Sequence, residues 1–493
     1  MPMLPIELRE SLDGWRQGDG PLARRLAGAL AAAMARQDLL PGTRLPPERL
    51  LAAQLGVART TVSAAYDLLG RRGLVSRRQG RGTHVTGADG TGAGVRAAEL
   101  TTSLQRNVLF RRLGESPADA IDLLASAGSP GPEVRAALTA SASAVDVGGL
   151  LDGPGYLPLG YPALRRVIAG RLTARGLPTA EEEILVTGGG QQAISLLAAC
   201  YVAPGAVVVL EDPTFPGAID AFRAVGGRIL TVPADGAGEA YAQVLAATIS
   251  QNPVRVVYLI PTFHNPLGRV LPEPARREVA RLGRASGIPI IEDDTLAELA
   301  LGSGPPRPVA AYAGDAQVVS IGSLSKLFWA GLRIGWIRAP RPVIAQLGRL
   351  KAVADLGTSL FSQAVAANLF AGYDHVRDAR CRELSGRLEL MQDLLRRLLP
   401  GWTWRRPQGG LSVWARLPDG SSAELAQVAS RHGVLVAPGP AMSPTGRFDE
   451  FVRLPFDHDP QTLEHGVARL ASAWRAYRAE LDSHGPRRVD VIV

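Results

Sequence analysis

Of the 54 basic side chains in this 493-residue chain, only two are lysines, Lys326 and Lys351. Arginine serves wherever a surface cation suffices. An arginine stays protonated, whereas a lysine can become a neutral amine and form a Schiff base with a carbonyl. Lys326 stands in Ser323-Leu324-Ser325-Lys326, and the run continues Leu327-Phe328-Trp329-Ala330-Gly331-Leu332-Arg333-Ile334-Gly335. Ser323, Ser325 and Arg333 are residue types that bind phosphate, the arginine as a fork of donors. A second anion-binding feature is Thr187-Gly188-Gly189-Gly190-Gln191-Gln192. Glycines that open a helix present backbone N–H groups to an anion, although a plain glycine turn has the same composition. Three more segments carry ring-binding chemistry. Phe215 can stack on a ring, Asn265 can donate or accept a hydrogen bond, and Asp293 can pair with a protonated nitrogen.

These motifs need a scaffold, and the pattern supplies one. Each follows a short β-branched run: Ile184–Val186, Val207–Leu210, Val256–Ile260, Ile288–Ile291 and Val318–Ile321. Helix-like stretches such as 191–201 and 273–286 lie between them. From about 119 to 480 this alternation predicts an α/β domain with a mostly parallel sheet. Ligands of such sheets bind at the carboxyl ends of the strands, where the motifs fall.

The first 86 residues read differently. They hold 13 Arg against 7 Asp+Glu, most of the chain's net charge of +8. A basic head on a nearly neutral body points to nucleic acid. Residues 21–37 predict a helix with Pro21 in its first turn and an apolar face of Leu22, Leu26, Leu30 and Met34. A second helix is expected from Glu48 to Gln54, then a turn at Gly56-Val57-Ala58, then a third from Arg59 to about Arg72, stopped by Gly73. Val62, Tyr66 and Leu69 face inward, which leaves Arg59, Thr60 and Ser63 pointing outward. Leu74–Ser76 and Thr83–Val85 predict two strands around Arg78-Gln79-Gly80-Arg81-Gly82, a basic wing. In such a winged helix-turn-helix the third helix enters the major groove, where Arg59 can read guanine.

Length alone suggests two to four domains. The apolar share of 46% and charged share of 20% fit a globular protein with a large core. No apolar run is long enough to span a bilayer, and the N-terminus lacks the apolar stretch of a secretory signal. Cys200 and Cys381 make no disulfide framework, and the seven histidines show no ligand spacing. A cytoplasmic protein without structural metal is expected. Residues 87–98, GADGTGAGVRAA, read as a flexible tether reaching about 20 Å. The expected division is a head over 1–86, a linker over 87–118, a body over 119–480 and a tail over 481–493.

Two family resemblances follow from these residues. Leu45-Pro46-Pro47-Glu48-Arg49, Arg59-Thr60-Thr61-Val62 and Gly80-Arg81-Gly82-Thr83 resemble the winged-helix head of GntR-family regulators. That resemblance implies DNA contacts at Arg49, Arg59, Thr60, Gln79 and Gly80. Ala58 and Ser63 stand where some members have Thr and Arg. The ordered motifs of the body resemble fold-type I aminotransferases, which implies pyridoxal 5'-phosphate as cofactor and Lys326 as its Schiff-base lysine. The cofactor-binding set is then Lys326, Asp293, Asn265, Phe215, Gly190, Gln191, Ser323, Ser325 and Arg333. Phe451-Val452-Arg453-Leu454-Pro455-Phe456 resembles the strand that carries the substrate-carboxylate arginine, here Arg453. The two together resemble MocR-type regulators, which implies double-stranded operator DNA, a homodimer, and a small amine, amino acid or the cofactor itself as effector.

The body also departs from its family. The stretch Asp293-Asp294-Thr295-Leu296-Ala297 lacks the tyrosine that many members carry there, and Phe215 replaces a stacking tyrosine. Tyr156 lies one residue off the spacing of a partner-subunit tyrosine. These losses weaken control of proton movement and argue against fast transamination more than against cofactor binding. Three readings remain: a regulator whose body senses the cofactor or its amine adduct, a working aminotransferase with an accessory head, and a regulator with a cofactor-free scaffold.

Overall fold

A computed structural model describes residue 15 and residues 21–35, 45–71, 74–78, 82–85, 119–124, 126, 130–235, 238–314 and 316–483. The expected helix stop at Gly73, the wing contacts of Gln79 and Gly80, the linker over 87–118 and the last ten residues lie outside these. The chain divides into two compact units, residues 1–110 and 111–493.

In the first unit, α1 (Leu22–Ala35), α2 (Glu48–Leu55) and α3 (Arg59–Arg71) precede a hairpin of β1 (Val75–Arg78) and β2 (Gly82–Val85). Leu26, Leu30 and Ala33 of α1 recur every three or four residues and pack with Leu51, Val62, Tyr66 and Leu69. Gly56 ends α2 in the left-handed conformation, φ 59°, where a side chain would be strained. Val75 and Val85 face each other across the antiparallel hairpin, and both are buried. The Tyr66 hydroxyl donates to Pro46 O at 2.8 Å, and Leu45 N to Thr83 O at 2.9 Å, so hairpin and helices share one small core.

The second unit opens with β3 (Ile121–Leu123), α4 (Pro132–Ser143), α5 (Val147–Leu150) and α6 (Pro162–Ala174). A seven-stranded sheet follows, in the order β4 (Ile184–Thr187), β10 (Gly335–Arg338), β9 (Val318–Ser323), β8 (Ile290–Asp293), β7 (Val254–Leu259), β5 (Val207–Asp212), β6 (Arg228–Pro233). It is parallel except for β10, which runs antiparallel to both neighbours. The helices interleaved with it are α7 (Gly190–Tyr201), α8 (Pro216–Ala224), α9 (Gly238–Gln251), α10 (Glu273–Ser286) and α11 (Arg341–Asp355). Alternate residues of one strand serve opposite faces: Val208 and Leu210 pack with α7, α8 and α11, while Val207 and Val209 pack with α9 and α10. Burial on both faces explains why these strands are apolar throughout rather than alternating. The carboxyl ends of β4, β5, β7, β8 and β9 all meet at one edge, which gathers the five motif segments there.

Then come α12 (Leu360–Leu369) and α13 (Tyr373–Leu398). The chain ends in a second sheet, ordered β11 (Thr403–Trp404), β12 (Ser412–Arg416), β14 (Phe451–Pro455), β13 (Val434–Pro438), β3, with α14 (Ser422–Arg431) and α15 (Pro460–Ser483) packed on it. The sequence pattern foresaw neither this sheet nor β10. No described helix is long and apolar enough to cross a membrane.

Candidate functional site

The glycine turn leaves β4 and enters α7. Gly189 holds φ 109° and makes no side-chain cap, so the N–H groups of the first turn of α7 face outward at the positive end of its dipole. A Cβ on Gly189 would lie 2.8 Å from Arg333 Nη2, which is how the guanidinium comes to rest against the turn. Arg333 Nη2 donates to Gly188 O. Gln191 Nε2 donates to Gly217 O at 2.8 Å, and the Phe215 ring lies where a Cβ on Gly217 would collide with it. Ser323 Oγ donates to Ile334 O and accepts from Ser325 N, both at 3.2 Å, so its hydroxyl shapes the lysine turn. Ser325 Oγ, in contrast, is buried with no hydrogen-bond partner.

The second lysine buttresses this cradle. Lys351 is fully buried, and its Nζ donates to Asp355 at 2.7 and 2.9 Å and to Gln192 Oε1 at 3.2 Å. Gln192 in turn donates to Asp355 and accepts from Gly188 N, both at 2.6 Å. Burial works against it, yet the hydrogen bonds from Lys351 and Gln192 hold the Asp355 carboxyl below its ordinary value.

Asp293 ends β8 and is buried. Its two oxygens accept from the Tyr258 hydroxyl at 2.7 Å and from Thr295 N at 3.0 Å. Burial pushes this carboxyl up despite those bonds, so a cation beside it would be strongly favoured. Burial, then the Asp293 charge, keeps the Tyr258 hydroxyl protonated as a donor. Thr295 occupies the tyrosine-deficient stretch, where its Cγ2 would lie 2.9 Å from a Cβ on Gly190.

Lys326, in the turn after β9, is half-buried and donates from Nζ to Ser126 O at 2.8 Å. Arg453, in the middle of β14, reaches the same residue: Nη2 donates to Ser126 Oγ, Nη1 to Leu124 O at 3.0 Å, and Nε to Asn265 Oδ1 at 3.1 Å. Asn265 therefore orients the guanidinium, a link that its sequence neighbours do not reveal. Behind Asn265, fully buried His264 lies 3.4 Å from Glu211, which also accepts from Arg269 at 2.9 Å and Ile260 N at 2.6 Å. Burial opposes it, but His264, Arg269 and that N–H together hold the Glu211 carboxyl below its usual value. Arg276, fully buried, donates to Leu271 O, Pro261 O and Thr262 Oγ1 at 2.7–2.8 Å and so fixes both ends of the loop that carries Asn265.

Sequence reasoning missed Ser126, Tyr258, Arg276 and the Lys351 network. Of these only Lys351 carried a signal, its rarity.

In the head, Arg49, Arg59 and Thr60 are exposed, the last two at the start of α3. Arg59 Nε lies 3.2 Å from Glu48 Oε2. Ser63, expected to point outward, is half-buried instead and donates to Glu48 Oε1 at 3.3 Å. One carboxylate thus accepts from both.

Comparisons with known proteins agree with both halves. Residues 132–470 match the aminotransferase class I and II family, and residues 22–85 the gntR family of bacterial regulatory proteins. The chain is 30% identical over 425 residues to the HTH-type transcriptional regulator YisV of Bacillus subtilis, covering 81% of this chain and 84% of that protein. The 2-aminoadipate transaminase of Thermus thermophilus is 33% identical over 327 residues, 65% of this chain and 81% of the enzyme. The crystal structure of LysN, the α-aminoadipate aminotransferase of that organism complexed with N-(5'-phosphopyridoxyl)-L-leucine, superposes with a TM-score of 0.68 at 29% identity, over 77% of this chain and 98% of LysN. A winged-helix head and a class I and II aminotransferase body on one chain, shared with named regulators along most of its length, place it in the MocR-type subfamily of GntR-family transcriptional regulators.

Proposed function

We propose that this regulator binds operator DNA through its head and uses its body to sense pyridoxal 5'-phosphate, alone or joined to a small amine. The observation that carries the reading is the meeting of Lys326 and Arg453 at one residue, Ser126. An attachment amine and a carboxylate clamp thereby face one space. The residues present fit the cofactor. The orphaned Ser325 hydroxyl, the uncapped start of α7 at Gly190 and Gln191, and Arg333 would take its phosphate, with Ser323 shaping the turn. Asp293 would face its ring nitrogen, Asn265 its phenolic oxygen and Phe215 its ring. Bound there, the cofactor supplies an aldehyde for a primary amine and a ring that accepts electrons. Arg453 would take an effector's carboxylate.

The head's part rests on Arg49, Arg59 and Thr60, with Gln79 and Gly80 in the wing. The protein acts in the cytoplasm as a homodimer. Val147, Leu151, Tyr156, Val353, Leu356 and Phe361 are exposed apolar side chains on adjoining segments of the body, a face suited to a second copy.

The test has two arms. Borohydride reduction and peptide mapping should find the cofactor on Lys326; finding it on Lys351 or nowhere overturns the assignment. Operator titrations of the full chain should then differ with and without pyridoxal 5'-phosphate, and Lys326→Ala should remove the difference.

A second reading, a working transaminase, draws support from the retained Lys326, Asp293 and Arg453. Thr295 argues against it, since it lacks the length and hydroxyl acidity of a tyrosine. Turnover of amino acids with 2-oxo acids at ordinary enzyme rates, about 1–10³ per second, would favour that reading.

A further inference from the structure

Each nitrogen of the Arg453 guanidinium is held by an oxygen of its own chain. Its Nε is held by Asn265, and its two outer nitrogens by Leu124 O and Ser126 Oγ. Those outer nitrogens are the pair a carboxylate takes in fork geometry. Ser126 is buried, 4% exposed, and its own carbonyl accepts from Lys326 Nζ at 2.8 Å. A short piece of main chain thus meets both groups that an amino acid would engage. Asp122 Oδ1 holds this piece in place by accepting from Leu124 N at 2.7 Å.

We propose that Leu124 O and Ser126 Oγ are internal ligands of the amino-acid site, exchanged for the carboxylate of the effector. The inference rests on the cofactor reading above and adds which effectors count. An amine without a carboxylate leaves Arg453 on Leu124 and Ser126. An amino acid takes both outer nitrogens and frees Leu124 O and Ser126 Oγ. Ser126 is thereby a specificity-determining residue, because its hydroxyl fixes what a carboxylate must displace. Leu124 follows directly on β3, which pairs in parallel with β13. Ile121 N donates to Gly433 O at 2.9 Å, and Arg469 Nη1 bridges Asp119 O and Gly433 O at 3.0 and 2.8 Å. These bonds and the β3–β13 pairing tie the start of the strand to the body, so exchange at Ser126 acts at the end of a held strand.

The experiment uses the full chain and two probes that cannot attach to Lys326: pyridoxamine 5'-phosphate, which has no carboxylate, and N-(5'-phosphopyridoxyl)-L-leucine, which has one. Ser126→Ala should tighten the second probe about tenfold, the scale of one hydrogen bond to a charged group, and leave the first within about twofold. In the wild type, amide exchange at 121–124 and 126 should quicken with the leucine adduct and not with pyridoxamine 5'-phosphate. Equal adduct affinity in wild type and variant, with pyridoxamine 5'-phosphate still bound, overturns the exchange alone. Unchanged amide exchange with the adduct overturns it too. Failure of pyridoxamine 5'-phosphate to bind either protein overturns the cofactor reading, and the exchange with it.

Discussion

The head and the body solve recognition in opposite ways. The reading groups proposed for the head, Arg49, Arg59 and Thr60, are exposed and lie near the starts of two helices. The body's groups, Asp293, Arg453 and Ser126, are buried, and Arg453 and Ser126 meet from distant parts of the chain. Lys326 and Ser126 are 200 residues apart in sequence, while Arg59 and Glu48 are only 11 apart. An exposed surface meets a polyanion through screened charges that tolerate change, each worth little alone. A buried site must satisfy every polar group it encloses, so one loss is felt widely. Mutations in the body should therefore act steeply and those in the head gradually.

The largest expected effect is at Lys326. Lys326→Arg keeps a cation near Ser126 O but cannot supply a neutral amine. Visible absorbance with pyridoxal 5'-phosphate should vanish while circular dichroism and thermal unfolding stay near wild type. Retained absorbance would mean that attachment lies elsewhere.

Arg276 comes next. Its guanidinium satisfies three acceptors in the loop that carries Asn265, and it lies near the buried carboxylates of Glu292 and Asp294. Arg276→Leu removes a donor to each of those oxygens and a counter-charge, and should cost about 3–5 kcal/mol of stability, read by denaturant unfolding. A loss below about 1 kcal/mol would show that the loop holds itself.

How legible each region was follows from the same contrast. In the body, the strands and the motifs after them could be read because chemistry restricts residue type: only lysine gives an amine, and only glycine takes φ 109° before α7 without strain. Helix 273–286 matches its expected limits because its apolar face is periodic and Gly287 caps it. The strand expected to begin at Ile288 begins at Ile290. The antiparallel β10 was invisible, since Gly335-Trp336-Ile337-Arg338 is too short to show a pattern and its direction is set by β4 and β9. Ser126, Tyr258 and Arg276 were invisible for a different reason. Their partners come from other elements, and nothing local distinguishes a serine or tyrosine that will be bonded from one that will not. In the head the elements could be read because its contacts are local, yet Ser63 was misjudged because Glu48, one helix earlier, competes for it.

Arg59 is the sharpest probe of the gradual side. Arg59→Ala should weaken specific operator binding by about 1–3 kcal/mol and relax discrimination. The salt dependence of non-specific binding should change far less than with Arg49→Ala, if Arg49 meets phosphate. Unaltered operator preference would remove α3 from the reading role.

A smaller effect in the body is pH-dependent. Asp220 lies on α8, and its Oδ2 is buried without a partner. Burial pushes its carboxyl up to about 6, against the pull of Arg223. A carboxyl raised on folding contributes stability that is fully present below its unfolded value, near 4, and lost as pH rises through about 6. Asp220→Asn should therefore stabilise the protein above pH 6 by about 1 kcal/mol, discounted for partial exposure, and change little at pH 4. A gain of equal size at both pH values would point to packing rather than charge.

The smallest expected effect is at Glu48, and it tests whether the head is only a charged surface. Glu48 meets Arg59 through Nε, leaving the Nη pair as the outer end of the fork, the end that would meet guanine. In the protein alone the pair is exposed and worth no more than about 1 kcal/mol. Two consequences of Glu48→Gln then pull in opposite directions. Removing a negative charge should raise binding to non-specific DNA slightly, because repulsion of phosphate falls. Loosening Arg59 should lower discrimination between operator and non-specific DNA by a few-fold, since an unfixed arginine loses side-chain entropy on binding. If the head were merely basic, both affinities would rise together and the ratio would hold. A falling ratio with rising non-specific affinity would show that even the exposed half of this regulator positions its reading group in advance, as the buried half does by other means.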